Sequence, residues 1–207
     1  SSDLKIVISG AGAAGIATAK LLVDYGSKNI ILCDTSGAIY KGREIHMNDI
    51  KEEISKITNP ENLKGDLHEV IKNADVFIGV SAPNILNSTD IKSMNSKPII
   101  FAMSNPNPEI SVDEAKNGGA YIIATGRSDY PNQVNNVLAF PGLMKGSLIT
   151  RAKIVNNEMK IAAALALSNL VKNLSVDKII PGPFDEGVAE TVTNAVKDAA
   201  IKTGVCR

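Results

Sequence analysis

The residues best suited to chemistry lie near the start of the chain. Gly10-Ala11-Gly12-Ala13-Ala14-Gly15 follows a short β-branched run, Lys5 to Ser9, and opens a helical pattern. In that context each glycine has a use. Gly10 permits the tight turn, Gly12 lets backbone approach a pyrophosphate, and Gly15 lets the helix pack closely on the strand. The free amides of the helix start then hold phosphate oxygens, helped by the helix dipole. The chemistry implied is the binding of a dinucleotide. Asp34 ends the next apolar run, roughly two dozen residues after Gly10, where a ribose-binding carboxylate is expected. Such a group accepts from the 2′- and 3′-hydroxyls of NAD and repels a 2′-phosphate. Read more plainly, Asp34 ends a strand and caps a turn. Thr35, Ser36, Lys41 and Arg43 follow, and hydroxyls and cations suit a 2′-phosphate. NAD is favoured as the cofactor, with NADP left open.

Other polar groups fall at the ends of later apolar runs. These are Ser81-Ala82-Pro83, Ser104-Asn105-Pro106 and Thr125-Gly126-Arg127-Ser128. Ligands of open α/β sheets sit outside the carboxyl ends of the strands, so Ser81, Ala82 and Asn105 are cofactor-binding candidates. Other chemistry finds little support. His46 and His68 lie on separate segments and are expected to be solvated. No closely spaced His/Asp/Glu cluster suggests a metal, and two histidines make a Ser-His-Asp arrangement unattractive. Asp75 and Asp185 read as turn and cap residues. No convincing base is present for a hydroxyl proton, so no catalytic residue is assigned to this chain.

The elements that must position these groups follow from periodicity. Lys5–Ser9, Asn29–Asp34, Val76–Val80, Pro98–Met103 and Ala120–Ala124 read as buried strands. Between them, 16–25, 49–57, 67–72, 88–94 and 112–117 read as helices. Short apolar runs alternating with helices predict an α/β, Rossmann-type, doubly wound and mostly parallel sheet with helices on both faces. Residues 128–146 hold three Asn, two Pro and two Gly. Much of that segment is expected to be irregular, with one further strand at Val137–Phe140. Helices at 158–171 and 187–202 complete the chain. The reading is a single NAD(P)-binding domain over 1–207, with a core at about 3–150 and a helical part at about 151–207.

Composition agrees with this. Of 207 residues, 44% are hydrophobic and 4% aromatic, with no Trp, so Ile, Val, Leu and Ala must build the core. Lys plus Arg and Asp plus Glu stand at 22 each, which gives no basic excess for nucleic acid and no polybasic surface for a membrane. No apolar run is long enough to span a bilayer. Cys33 and Cys206 lack metal-ligand spacing and read as free thiols of a cytoplasmic protein.

A family resemblance rests on longer stretches. The Lys5–Gly15 turn, Gly37-Ala38-Ile39-Tyr40-Lys41-Gly42-Arg43, Asp75–Ser81 and Ala102-Met103-Ser104-Asn105-Pro106 resemble bacterial-type malic enzymes. So does Ala124-Thr125-Gly126-Arg127-Ser128-Asp129-Tyr130-Pro131-Asn132-Gln133-Val134-Asn135-Asn136, the most specific stretch, which continues through Phe140-Pro141-Gly142. Ile180-Pro181-Gly182-Pro183-Phe184-Asp185 is also similar. The resemblance implies oxidation of L-malate with NAD or NADP and decarboxylation to pyruvate and CO2, assisted by Mg2+ or Mn2+. It also implies that Asn105 and Asn136, with Asn135 as the less certain neighbour, reach the substrate and the nicotinamide end. An amide donates to a carboxylate and accepts from a hydroxyl or carboxamide, which fits. A loop staple is the other reading of the Asn pair.

The family's catalytic Tyr and Lys and its metal carboxylates lie N-terminal to the glycine-rich strand. The expectation is therefore a cofactor half, paired in the full enzyme with an N-terminal catalytic domain and forming a homo-oligomer. By itself it should be inactive and hold no metal. Two alternatives stay open: the cofactor domain of another NAD-dependent dehydrogenase, and a non-catalytic dinucleotide sensor.

Overall fold

The computed structural model of the chain describes residues 3–207. By compactness the chain divides into two units, Ser1–Gly126 and Arg127–Arg207. The described residues of the first unit form a six-stranded sheet in the order β3-β2-β1-β4-β5-β6. The strands are β1 (Lys5–Ser9), β2 (Asn29–Asp34), β3 (Gly37–Ala38), β4 (Val76–Gly79), β5 (Ile99–Ala102) and β6 (Ile122–Thr125). All neighbours are parallel except β2 and β3, which form a short hairpin. The Rossmann-type, mostly parallel sheet expected from the alternation is therefore present.

Strand periodicity explains the two-sided core. Successive side chains point to opposite faces, and both faces are covered. Ile6, Ile8, Ile30, Leu32, Val76 and Ile78 pack on one side with Ala19 of α1 (Ala13–Asp24) and Ile54 of α2 (Asp49–Ser55). Val7, Ile31, Cys33 and Phe77 pack on the other. Their partners there are Val70 of α3 (Leu67–Val70), Ile91 of α4 (Ser88–Ser93) and Ala115 of α5 (Val112–Asn117). Each such fully buried Ile, Leu or Phe contributes about 1.5–3 kcal/mol.

Several boundaries differ from the sequence reading for local reasons. Helix α1 starts at Ala13 rather than 16, because Gly12 supplies the extended cap residue and Gly15 already lies inside the first turn. Strand β6 starts at Ile122 rather than 120, since Gly119 at φ +91° and the Ala120 amide, which donates to Ala115 O, close α5 first. The two-residue β3 was not expected.

The second unit is helical, and here one expectation is corrected. Val137–Phe140 is not a strand. Residues Asn136–Leu138 form a 3-10 turn, and α6 runs over Phe140–Ile149. Pro141 occupies the first helical turn, where the missing N–H costs nothing. Gly142 and Gly146 share one face of α6 and let it approach α8 (Val188–Lys202) closely. A Cβ on Gly142 would stand 2.6 Å from Val192 Cβ, and one on Gly146 2.8 Å from Thr193 O. With α7 (Asn157–Leu170), these helices bury Leu138, Met159, Ala163, Leu167, Val192 and Val196. No helix among the described residues is long and apolar enough to cross a membrane.

Candidate cofactor site

Strand β1 lies centrally, with β2 on one side and β4 on the other, so the chain reverses its winding direction there. At such a switch point the loops leaving neighbouring strands part and open a crevice. The crevice found has a volume of about 570 Å³. Ser9, Gly10, Ala11 and Gly12 line it from β1, and Asp34, Thr35 and Gly37 from β2. Ser81, Ala82 and Ile85 line it beyond β4, with Lys51 of α2 and Asp66, Leu67 and His68 at the start of α3.

The glycine turn is held from both sides. Gly10 has φ +113° and donates its N–H to Cys33 O at 2.8 Å. A Cβ there would lie 2.6 Å from Val80 O. A Cβ on Gly15 would lie 1.8 Å from Gly10 O, so the helix start could not seat on the turn. Around Gly12, by contrast, a Cβ would meet nothing within 4 Å. The turn's backbone thus faces open space on the crevice side, and α1 starts there without a side-chain cap. That arrangement fits a pyrophosphate. Ala13, Ala14 and Gly15 sit in the first turn of α1, behind the crevice-lining residues.

Asp34 is more heavily engaged than a ribose carboxylate need be. Its Oδ1 accepts from the Ser36 amide at 2.9 Å and from Arg43 Nη1 at 2.9 Å. Its Oδ2 accepts from Arg43 Nη2 at 2.5 Å and from Lys51 Nζ at 2.6 Å. Burial would push this carboxyl up, but the hydrogen bonds from Arg43, Lys51 and Ser36 outweigh it and hold the group well below the usual carboxylate range. Arg43 is turned inward: its Nη1 also reaches Gly37 O and Ala38 O, and its Nε approaches Met47 Sδ. Lys51 lines the crevice and also donates to His46 O at 2.8 Å. With Asp66 on the same crevice, the two carboxylates Asp34 and Asp66 balance the two cations Arg43 and Lys51 at this end. Lys41 does not line the crevice.

One buried residue beneath the crevice escaped the sequence reading. Glu109 is fully buried, and its two oxygens accept from the amides of Ser81 and Ser104, each at 2.9 Å. It pins the loops leaving β4 and β5 to each other, beneath Gly79, where a Cβ would lie 2.3 Å from Glu109 Cδ. The only sequence signal was an acidic residue directly before the apolar Ile110 and after two prolines. Both histidines are exposed, and each also has a side-chain partner. His46 Nδ1 is 2.5 Å from Ser36 Oγ, and His68 Nδ1 is 2.8 Å from Asp90 Oδ1. Asp185 serves as a turn staple, accepting from the Gly182 amide, whereas Asp75 joins distant segments, accepting from the Lys5 amide and from Asn95 Nδ2.

The amide candidates are placed as follows. Asn105 is exposed in the turn after β5, next to a cis peptide bond to Pro106, and does not line the crevice. Asn135 caps the 3-10 turn, accepting from the Val137 amide at 3.1 Å. Asn136 is exposed and borders a separate cavity with Phe140 and Leu143. Buried Asn132 is the loop staple of this unit: its Nδ2 donates to Val176 O and its Oδ1 accepts from the Ile179 amide. Among the described residues no group of three or more His, Cys, Asp or Glu is placed to hold a metal ion.

Comparison with known proteins agrees with this geometry. The family model described as "Malic enzyme, NAD binding domain" matches residues 2–201. The bifunctional malic/malolactic enzyme of Bacillus subtilis is 54% identical over 208 residues, spanning 100% of this chain and 51% of that protein. The probable NADP-dependent malic enzyme of Rickettsia prowazekii is 46% identical over 99% of this chain and 29% of its own length. The crystal structure of NAD-dependent malic enzyme from Thermotoga maritima superposes with a TM-score of 0.91 at 46% identity, covering 95% of this chain and 52% of that one. The chain thus spans about half the length, or less, of the relatives it matches. With that match over nearly its whole length, the chain belongs to the malic enzyme NAD-binding domain family.

Proposed function

We propose that this chain is the NAD(P)-holding part of a malate oxidoreductase that decarboxylates its product to pyruvate. The observation that carries the proposal is the single crevice at the switch point, where an uncapped helix start, the end of β2 and the end of β4 face one space. The backbone from Gly10 to Gly15 would hold the pyrophosphate. Asp34, Thr35 and Lys51 would meet the adenosine ribose, and Ser81 and Ala82 would line the wall beyond β4. Asn105, Asn135 and Asn136 would serve the nicotinamide and substrate end. The bound nicotinamide supplies the hydride acceptor for the hydroxyl-bearing carbon, and this chain's residues orient it.

Lys51 lines the crevice beside Asp34 and is a cation that can meet a 2′-phosphate, so NAD and NADP should both bind. The described residues bring together no His, Cys, Asp and Glu set that fits a divalent metal. The base, the metal ligands and an N-terminal catalytic domain are assigned to the remaining length of the relatives, along with a cytoplasmic, homo-oligomeric enzyme.

The test is calorimetric titration of this chain with NAD+ and with NADP+. Saturable binding of both, within about tenfold of each other, is expected. No turnover of malate with Mn2+ should accompany it. Absence of binding by either dinucleotide would refute the cofactor site, and sustained turnover would refute the division of labour.

A further inference from the structure

We infer that His68 reads the 6-amino group of the adenine ring; this rests on the cofactor site proposed above. The ring is held in one tautomer. Its Nδ1 lies 2.8 Å from Oδ1 of Asp90, a buried residue whose other oxygen accepts from the Asn87 amide at 2.8 Å. A carboxylate has no proton to give, so Nδ1 carries the hydrogen, and in the neutral ring Nε2 is left as a bare acceptor. Nothing among the described residues bonds Nε2. The side chain is half exposed and lines the crevice.

Its backbone is equally fixed. Asp66 and Glu69 close a reciprocal cap on α3, with Asp66 Oδ1 accepting from the Glu69 amide at 2.9 Å and Glu69 Oε2 from the Asp66 amide at 3.0 Å. Leu67 and Ile85, both half-buried against the core, give the crevice apolar walls beside this acceptor. A flat heteroaromatic ring with a donor on its edge is the complement of that arrangement. Adenine carries a 6-amino donor. Hypoxanthine carries a 6-oxo acceptor, which would set one lone pair against another.

The experiment compares NAD+ with nicotinamide hypoxanthine dinucleotide, in which an oxo group replaces that amine. Both are titrated into the wild-type chain and into His68→Phe, in mildly alkaline buffer. His68→Phe also takes the imidazole away from buried Asp90, so a circular-dichroism melt of each variant shows that it is folded before binding is compared. The wild type should bind NAD+ about tenfold tighter than the hypoxanthine analogue, in line with one lost hydrogen bond and one unpaired acceptor. His68→Phe should bind the two within about twofold, and His68→Gln, which keeps an acceptor, should fall between. Equal binding of both ligands by the wild type, or unchanged discrimination in His68→Phe, would overturn the assignment to His68 while leaving the cofactor site standing. Failure of the wild type to bind either ligand would overturn the site itself and this inference with it.

Discussion

Replacing Asp34 with Asn tests whether the cluster at the end of β2 is a buried ion network. The side chains of Asp34, Arg43 and Lys51 are 10%, 3% and 15% exposed. The amide keeps the shape and one acceptor but removes the counter-charge, so a guanidinium and an ammonium remain buried without it. Breaking a buried pair in this way costs about 3–5 kcal/mol. For a chain of this size, that loss lowers the thermal midpoint by about 10 °C. Arg43→Met removes the opposite partner, and the double variant Asp34→Asn/Arg43→Met should be less destabilised than the sum of the two singles, because only the Lys51 ammonium is then left without its carboxylate. Calorimetric or circular-dichroism melts of all four proteins near neutral pH give the cycle. Acid supplies a second arm. The folded carboxyl is depressed, so its contribution is complete above about pH 4, the ordinary carboxylate value. It diminishes as the pH falls below that value and is gone once the depressed folded value has been passed. The gap between wild type and Asp34→Asn should therefore be constant from neutrality down to about pH 4 and narrow below it. A midpoint within about 2 °C of wild type, or strict additivity in the cycle, would refute the reasoning.

Two further outcomes follow from buried groups. Glu109→Gln retains an acceptor for one of the two loop amides and turns an N–H donor toward the other. It should cost about 2 kcal/mol and weaken dinucleotide binding by the folded protein; unchanged binding and an unchanged melt would remove Glu109 as a positioning residue. Burial, reinforced by the neighbouring Asp34 charge, pushes the Cys33 thiol up to about 12, whereas Cys206 is half-buried. A disulfide reagent should therefore titrate one thiol in the native protein and two in denaturant, and rapid reaction of both in the native state would show that the sheet opens at β2.

What the sequence made legible was what short-range spacing encodes. The glycine turn, Asp34 at the end of β2 and the alternation of apolar runs with helices each follow from residues close in the chain, and all reappear in the sheet. The pairings that define the site were not legible, because they join distant segments. Lys51 reaches Asp34 from a helix seventeen positions on, and Glu109 reaches back to Ser81 across β5. His68 is exposed, but its bond to Asp90 joins residues twenty-two positions apart and so could not be read from its neighbours. The misreading of α6 had another cause. Pro141, Gly142 and Gly146 look like breakers, yet the proline stands where helices accept it and the glycines make room for α8. Small residues on a packed face and small residues in a loop look the same before the partner helix is known.

The two-residue hairpin strand β3 has a consequence for assembly. A parallel sheet ending at β2 would offer a row of unpaired backbone groups to any extended chain. Here β3 occupies that row at Cys33 and Asp34, and its own outward amide, on Ala38, is donated to Gly65 O at 2.9 Å. The backbone of Gly65 also presses so close to Gly37 that a Cβ there would lie 2.3 Å from its carbonyl oxygen. This margin is closed to strand addition, so a sheet running on from one copy of the chain into another cannot be built through it, and self-association must use side-chain surfaces or other edges instead.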